Sequence, residues 1–369
     1  MNVSIIGGGV VGCTAAYYLS KSGHSVTLFE KDEIAAHASG FSFGGLLPPL
    51  INSKDPLLSL SHFSLELHKK ISFDLDQDGF NYYFKRKNSI HLAKKESEMK
   101  RLLFLSNQVF SHYQNKPVIL NNSELKHIEA RLSDKVIGGL HLNCSYDIDT
   151  YNFCRSLWES SKKFGAKLIK KEVTKIEVNN NSVKGLKIKD SEEIIPSDHI
   201  IVAAGPWSKF IFESLGIEIP LFPVKGQIVR LKTISPPDIK VNFWWGPNYL
   251  STKHDGNIWV GTTEEEVGFN EKPDIQGRKS IINSSVEIFP FIKDLPEVNH
   301  TACLRPITKD LKPIIDDFSD LINGLVISTG GGRNGILFGP LMGLRAAEMV
   351  MSKKMSIDTS FLSIKRFSI

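Results

Sequence analysis

Three stretches predict an α/β protein of two domains, with a Rossmann-like nucleotide-binding unit interleaved with an antiparallel β-rich one. Residues 3–30 read strand, glycine turn, helix, strand. Residues 221–261 alternate and are rich in β-branched and aromatic side chains, as antiparallel strands are. Residues 325–351 return to a buried strand, a glycine turn and a helix. A chain of 369 residues is too long for one ordinary core. The order of textures implies a discontinuous arrangement. Residues 1–83, 146–218 and 302–369 form the nucleotide-binding domain, and 84–145 and 219–301 form the substrate-binding domain.

Each element has a local reason. Residues 3–6 are a short apolar strand, and 10–22 an Ala- and Leu-bearing helix that Gly23 can end. Residues 25–30 give a second strand. Residues 152–164 read as a helix closed by Gly165, and 166–169 as the strand after it. Two hairpin strands flank 179–181, and the buried strand 200–203 runs into Gly205. The β-rich region carries strands at 227–232, 249–252 and 257–261. The return consists of strand 325–328 and helix 336–351.

Composition narrows the function. Apolar residues make up 41% and charged residues 23%, the balance of a soluble globular protein. A net charge of +5, spread over 45 basic and 40 acidic residues, is no nucleic-acid signature. The four cysteines (Cys13, Cys144, Cys154, Cys303) show no metal spacing and suit a reducing, cytoplasmic setting. Neither a signal peptide nor an integral membrane segment is expected, and no metal site. Peripheral membrane contact and homo-oligomer formation are left open.

Gly7-Gly8-Gly9-Val10-Val11-Gly12 gives G-x-G-x-x-G between a strand and a helix. Its glycines let the backbone turn tightly and approach a pyrophosphate at the helix N-terminus. Glu30, 18 residues beyond Gly12, ends the next strand, where a carboxylate accepts from both ribose hydroxyls. This motif fits NAD or FAD. The distant second cluster, TGGGRNGILFGP at 329–340, favours FAD. A helix beginning near Asn334, with Arg333 beside it, would stabilise the negative charge that grows on a reduced flavin ring.

Several motifs in one order extend the case over nearly the whole chain. They are SIIGGGVVG with Glu30, HASGFSFGGLL (37–47), IIVAAGPWS (200–208), PVKGQIVRL (223–231), YLSTKHDGNIWVGTT (249–263), LRPITKDLKPII (304–315) and GGGRNGILFGP (330–340). With them the chain resembles the D-amino-acid oxidase superfamily of FAD-dependent oxidoreductases, and within it the glycine oxidases. The resemblance implies a Rossmann-like FAD-binding domain with non-covalent FAD and an antiparallel β-rich substrate domain.

The resemblance also implies site residues. Ser39, Gly44, Gly45 and Leu46 would lie along the flavin, and Val173 would meet the adenine through its backbone. Ala204, Gly205 and Trp207 would close over the dinucleotide, with Lys31, Gly335 and Ile336 among the other cofactor contacts. Arg305 would grip a substrate carboxylate through paired hydrogen bonds, with Tyr249 adding a hydroxyl. Arg333 would face flavin charge or substrate. For Ser39 a helix N-cap, for Trp207 and Tyr249 the core, for Arg305 an ion pair and for Arg333 the surface stand as alternatives.

The implied reaction moves the substrate α-hydrogen as hydride to flavin N5, driven by the neutral amine lone pair and needing no side-chain base. The imine then hydrolyses to an oxo acid, and O₂ or another acceptor reoxidises the flavin. Small amino acids (glycine, sarcosine, a D-amino acid) are the expected substrates. A sarcosine- or proline-type secondary-amine oxidase or dehydrogenase is the alternative, and a tRNA-modifying flavoenzyme or a non-catalytic flavin regulator a remoter one. The chain departs from the pattern at Gly331 and Gly332, where a bulkier pair is usual, and at Phe41 and Phe43, where small residues are. Trp244 and Trp245 stand as pocket wall or core. Residues 303–310 also match the C-L-x-x-x-T-x-D setting in which sarcosine oxidases tether flavin, so Cys303 is a minor covalent alternative.

Overall fold

The protein is described from a computed structural model over residues 1–109, 117–233 and 239–367. The chain opens as the sequence predicts, with β1 (Asn2–Ile6), α1 (Val10–Lys21) and β2 (Ser25–Phe29). β1 lies inside a six-stranded sheet ordered Ile314–Asp317, Leu325–Thr329, His199–Val202, β1, β2, Lys167–Ile169. All neighbours run parallel except the Ile314–Asp317 edge. Ile6 pairs with both Val202 and Phe29, so Gly7, Ala203 and Glu30 leave the sheet side by side at its carboxyl edge. Open parallel sheets bind ligands at that edge.

Alternation along these strands feeds two cores. Ile5 and Ile201 pack against Cys13 and Tyr17 of α1, Phe153 of helix Thr150–Lys163 and Ala346 of helix Gly335–Val350. Ile6, Ile200 and Val202 face the other way, onto Ile176 and Leu186. Those two belong to the predicted hairpin, strands Val173–Asn179 and Ser182–Ile188. Its turn residues Asn180 and Asn181 take φ of 50° and 54°, a left-handed conformation that Asn tolerates.

The β-rich part is an eight-stranded sheet ordered Glu297–Thr308, Leu221–Lys232, Asn257–Gly261, Asn248–Thr252, Asn242–Trp245, Ser89–Ala93, Gly138–Leu142, Val118–Asn121. The 301/302 boundary taken from the sequence falls inside its first strand. That strand pairs with Leu221–Lys232 from Thr308 back to Glu297, so Cys303 and Arg305 are borne by the β-rich sheet. Among the described residues, no helix is long and apolar enough to cross a membrane.

Helix Gly335–Val350 contains Pro340, which has no N–H to offer the carbonyl of Ile336. His68 of helix Pro56–Gln77 fills that role, its Nε2 donating to Ile336 O at 2.9 Å, while Ser64 Oγ donates to Leu337 O at 2.6 Å. Desolvation drives the fully buried His68 down to about 4, more than these carbonyls raise it. The unfolded ring titrates near ~6.5, so the unfolded chain takes up this proton first as pH falls. Stability is therefore lost between pH ~6.5 and about 4, by on the order of 3 kcal/mol from this ring. His68→Met is expected to remove one proton's worth of that pH slope and to lower stability at pH 7 by ~1–3 kcal/mol, because Ile336 O is left unpaired. Urea midpoints measured from pH 7 to 4 test this; an unchanged slope would reject it.

Candidate active site

A cavity of about 410 Å³, within the usual range of cofactor clefts, runs between the carboxyl edge of the parallel sheet and one face of the β-rich sheet. Its walls bring together nearly all the residues singled out from the sequence: Gly7, Gly9, Val10, Val11, Glu30, Lys31, Ser39, Gly44, Gly45, Val173, Ala204, Gly205, Trp207, Tyr249, Cys303, Arg305, Arg333, Asn334, Gly335 and Ile336. Gly12 and Leu46 are not among them. A Cβ on Gly12 would stand 1.9 Å from Gly7 O, so this glycine serves the close approach of helix to turn. Leu46 is fully buried in the core, on a short strand (Gly45–Leu46) that turns it away from the cavity.

The nucleotide end is built from main chain. At Gly7, φ is 110° and a Cβ would lie 2.5 Å from Ala203 O, so no other residue fits this crossing. Glu30 accepts from Gly8 N–H at 2.7 Å and, through its other oxygen, from Asp32 N–H at 2.9 Å. An ionised carboxylate has about four acceptor positions, so two stay available for ribose hydroxyls. α1 has no acidic residue in its first turn, and the Val10 N–H donates to Ser39 Oγ at 3.0 Å. Ser39 thus caps α1, not the helix it belongs to (Ala38–Phe41). Lys31 Nζ lies 3.9 Å from the centre of the Trp207 ring, which also meets His37 and Phe269. Trp207 is wall, not deep core. A glycine floor, a helix end with no acidic residue in its first turn and a carboxylate with acceptor positions to spare are what FAD requires, and these residues fit it.

The opposite end is charged and aromatic. Arg305 donates from Nη1 to Thr263 O at 3.0 Å and from Nη2 to Thr262 Oγ1 at 2.7 Å, which fixes the plane of its guanidinium. A Cβ on Gly226 would meet that guanidinium at 2.1 Å, so Gly226 is what leaves room for it. Tyr249 shares Thr262 with Arg305 and stacks on Phe43, ring centres 4.1 Å apart. Burial raises the phenol above its ordinary value, so it is a protonated donor at neutral pH. Cys303 is buried on the wall, and desolvation pushes its thiol up to about 11 against the pull of Arg305. Arg333 reaches across from the turn before helix Gly335–Val350. It pairs with Glu264 at 2.7 Å and donates to Pro247 O at 2.7 Å. Trp244 lines the cavity, whereas Trp245 is core and donates to Ser284 Oγ.

Sequence reasoning passed over Thr262, Thr263, Gly226 and Glu264. Gly226 lies inside a quoted motif, and only the pairing of its strand with that of Arg305 gives it a role. The threonines likewise close a quoted motif (249–263) without a role of their own, and Glu264, just beyond it, carries no signal.

Comparison with known proteins bears on the family and the fold. The sequence matches the family model for DAO, FAD dependent oxidoreductase, over residues 2–349. It is 25% identical to glycine oxidase of Bacillus subtilis over 356 residues, 96% of this chain and 94% of the relative. It is 24% identical to D-amino acid dehydrogenase of Vibrio atlanticus, over the full length of both. The crystal structure of glycine oxidase from Bacillus cereus superposes with a TM-score of 0.88 at 26% identity, covering 96% of this chain and 98% of that one. Glu30→Arg is expected to yield folded protein without FAD, because it removes the ribose acceptor and the bond to Gly8. Flavin absorbance per mole of purified protein measures this, and full occupancy would count against the role given to Glu30.

Proposed function

Because the chain belongs to the DAO family of FAD-dependent oxidoreductases, we propose that it oxidises a small amino acid. FAD, when bound, would accept the hydride that leaves the substrate α-carbon; water would then hydrolyse the imine to an oxo acid and release ammonia, or an amine where the substrate is secondary. The observation that carries the reading is the fixed guanidinium of Arg305 at the end of a cofactor-sized cavity, beside a protonated Tyr249. A planar guanidinium held by two protein acceptors still offers N–H groups to a carboxylate.

The chain's own residues act by holding and excluding. Arg305 and Tyr249 fix the carboxylate, and with it the α-carbon. Of the groups near Arg305, the Cys303 thiol is held at about 11 and the Tyr249 phenol above its ordinary range, so neither takes a proton at neutral pH. That suits a reaction in which a neutral amine supplies the driving electrons and the protein supplies position. The buried, protonated thiol also favours FAD held without a covalent bond. A secondary amine such as sarcosine or proline presents the same carboxylate and is the second reading. The full-length likeness to a D-amino acid dehydrogenase supports an electron acceptor other than O₂ as an alternative to oxidase chemistry.

Anaerobic bleaching of the flavin by glycine, sarcosine, D-amino acids and L-proline tests the substrate class directly. Arg305→Ala is expected to raise KM for the bleaching substrate by ~100-fold or more while FAD stays bound, since a charge-assisted pair is lost. An unchanged KM removes the clamp. Acid precipitation is expected to leave the flavin in the supernatant, and a yellow pellet would restore the Cys303 tether.

A further inference from the structure

Between strand Asn257–Gly261 and helix Ile275–Ile288 the chain swings out over residues 264–274. Both ends of that excursion are pinned to one place. Lys225 and Gln227, alternate residues of strand Leu221–Lys232 and both buried, share the carboxylates of Glu265 and Asp274. Lys225 Nζ lies 2.9 Å from Glu265 and 2.6 Å from Asp274. Gln227 Nε2 donates to the same two groups at 2.7 and 2.9 Å. Residues 266–273 therefore form a loop whose feet are held together, the arrangement of an Ω-loop.

The tip of this loop leans on segments that follow strands of the parallel sheet. Phe269 packs against Trp207 and Phe210, ring centres 5.8 and 4.8 Å apart, and stays 36% exposed. Glu271 lies 3.0 Å from His37 Nδ1, and Asp32 lies 2.8 Å from His37 Nε2. Beside the first foot, Glu264 pairs with Arg333. His37, Trp207, Phe210 and Arg333 all line the cavity. The loop thus runs along the outer side of a wall whose inner side faces the cofactor site. Its feet are anchored on buried groups, whereas its tip is held by a few contacts near solvent, the mark of a segment that opens locally.

The His37 contact adds a condition. A neutral imidazole donates from one ring nitrogen only, so with a carboxylate on each nitrogen it satisfies one and repels the other. An imidazolium satisfies both. The charged groups around the ring are Glu30, Asp32 and Lys31 on its own side and Glu271 on the loop. Burial disfavours the charged ring, but Glu271 and Asp32 outweigh burial and Lys31, and the ring titrates above its ordinary value. With the loop away, Glu271 is lost and the ring gives up its proton at lower pH. Closure is therefore fully favoured below the open-state value and weakens as pH rises through the closed-state one.

We propose that residues 266–273 are a lid over the FAD site, hinged at Lys225 and Gln227 and latched by Phe269 and by the His37 imidazolium between Asp32 and Glu271. Opening of the lid admits and releases FAD, so the cofactor is held less firmly in alkaline solution. The lid depends on the FAD site and not on which amine is oxidised.

Dissociation of FAD from the holoenzyme, followed as the rise of free-flavin fluorescence after dilution, tests the lid without turnover. Between pH ~6 and ~9 the wild-type rate is expected to rise about tenfold as the ring loses its proton. Glu271→Gln is expected to release FAD about tenfold faster than wild type at pH ~6 and to flatten the profile. Phe269→Ala is expected to speed release about tenfold at every pH and to keep the profile, since it removes two aromatic contacts. Wild-type release rates in both variants overturn the lid, and a wild-type pH profile in Glu271→Gln overturns the His37 latch. A lower urea midpoint with unchanged release makes the loop a staple between the two sheets and overturns the lid as well.

Discussion

The site depends on how closely two helices approach. Along one side of helix Gly335–Val350, a Cβ on Gly339 would meet the Val10 side chain at 2.6 Å, and one on Gly343 would meet Thr14 at 2.5 Å. These two glycines let α1 lie against the helix main chain. Since α1 starts at Val10 and its partner at Gly335, both N-termini open on the same cavity. Neither has an acidic residue in its first turn, so the two positive ends stay available to an anionic cofactor. The crossing also explains why a helix that must begin at one place tolerates Pro340. Its broken hydrogen bond falls one turn in, where His68 and Ser64 take over the carbonyls.

Charge at the substrate end is held in graded ways. Arg305 is fixed by two neutral oxygens and keeps its full charge for a ligand. Arg333 is matched by Glu264 in a pair whose side chains are 35% and 48% exposed, and such pairs contribute only ~0–1 kcal/mol. It can leave that partner at little cost. Behind the aromatic wall, Lys253 and Asp147 form an ion pair with both side chains fully buried, and the ammonium lies 4.4 Å from the centre of the Phe43 ring. Breaking such a pair from one side is costly, so Phe43, and Tyr249 stacked on it, rest on a rigid base. Phe43 is bulky for its position because it bridges this cation to the substrate wall.

Much of the nucleotide end was legible because its requirements are backbone requirements. Gly7 and Gly12 are demanded by approach distances, and Glu30 by the length of one β-α-β turn, so spacing alone carries them. The hairpin at 179–181, the C-terminal strand and the helix after it follow from periodicity and turn residues. At the other end of the cavity, only residues with distinctive chemistry, Arg305 and Tyr249, stood out in the sequence, and both line the cavity wall. What supports them, Thr262, Thr263 and Gly226, arrives through strand pairing, which a single sequence does not display. The same holds for the boundary near 302. Residues 304–308 carry no mark that separates a strand of the first sheet from one of the second. Lys253, between the strands 249–252 and 257–261, acquires a role only by meeting Asp147 from a distant strand.

The two ends therefore have different freedom to change. The glycines, helix ends and carboxylate that would hold the cofactor are engaged with main chain, and almost any alteration there disturbs such a contact. The substrate end is a sheet face on which Tyr249, Trp244 and His91 each project a single side chain from a separate strand. Replacing one of them alters what the cavity accepts without moving the strands, whose ladders are made by backbone atoms. Relatives with names as different as glycine oxidase and D-amino acid dehydrogenase are what such a division permits. On the function proposed above, the choice of substrate rests on side chains at a few cross-strand positions such as Tyr249 and Trp244, not on overall likeness.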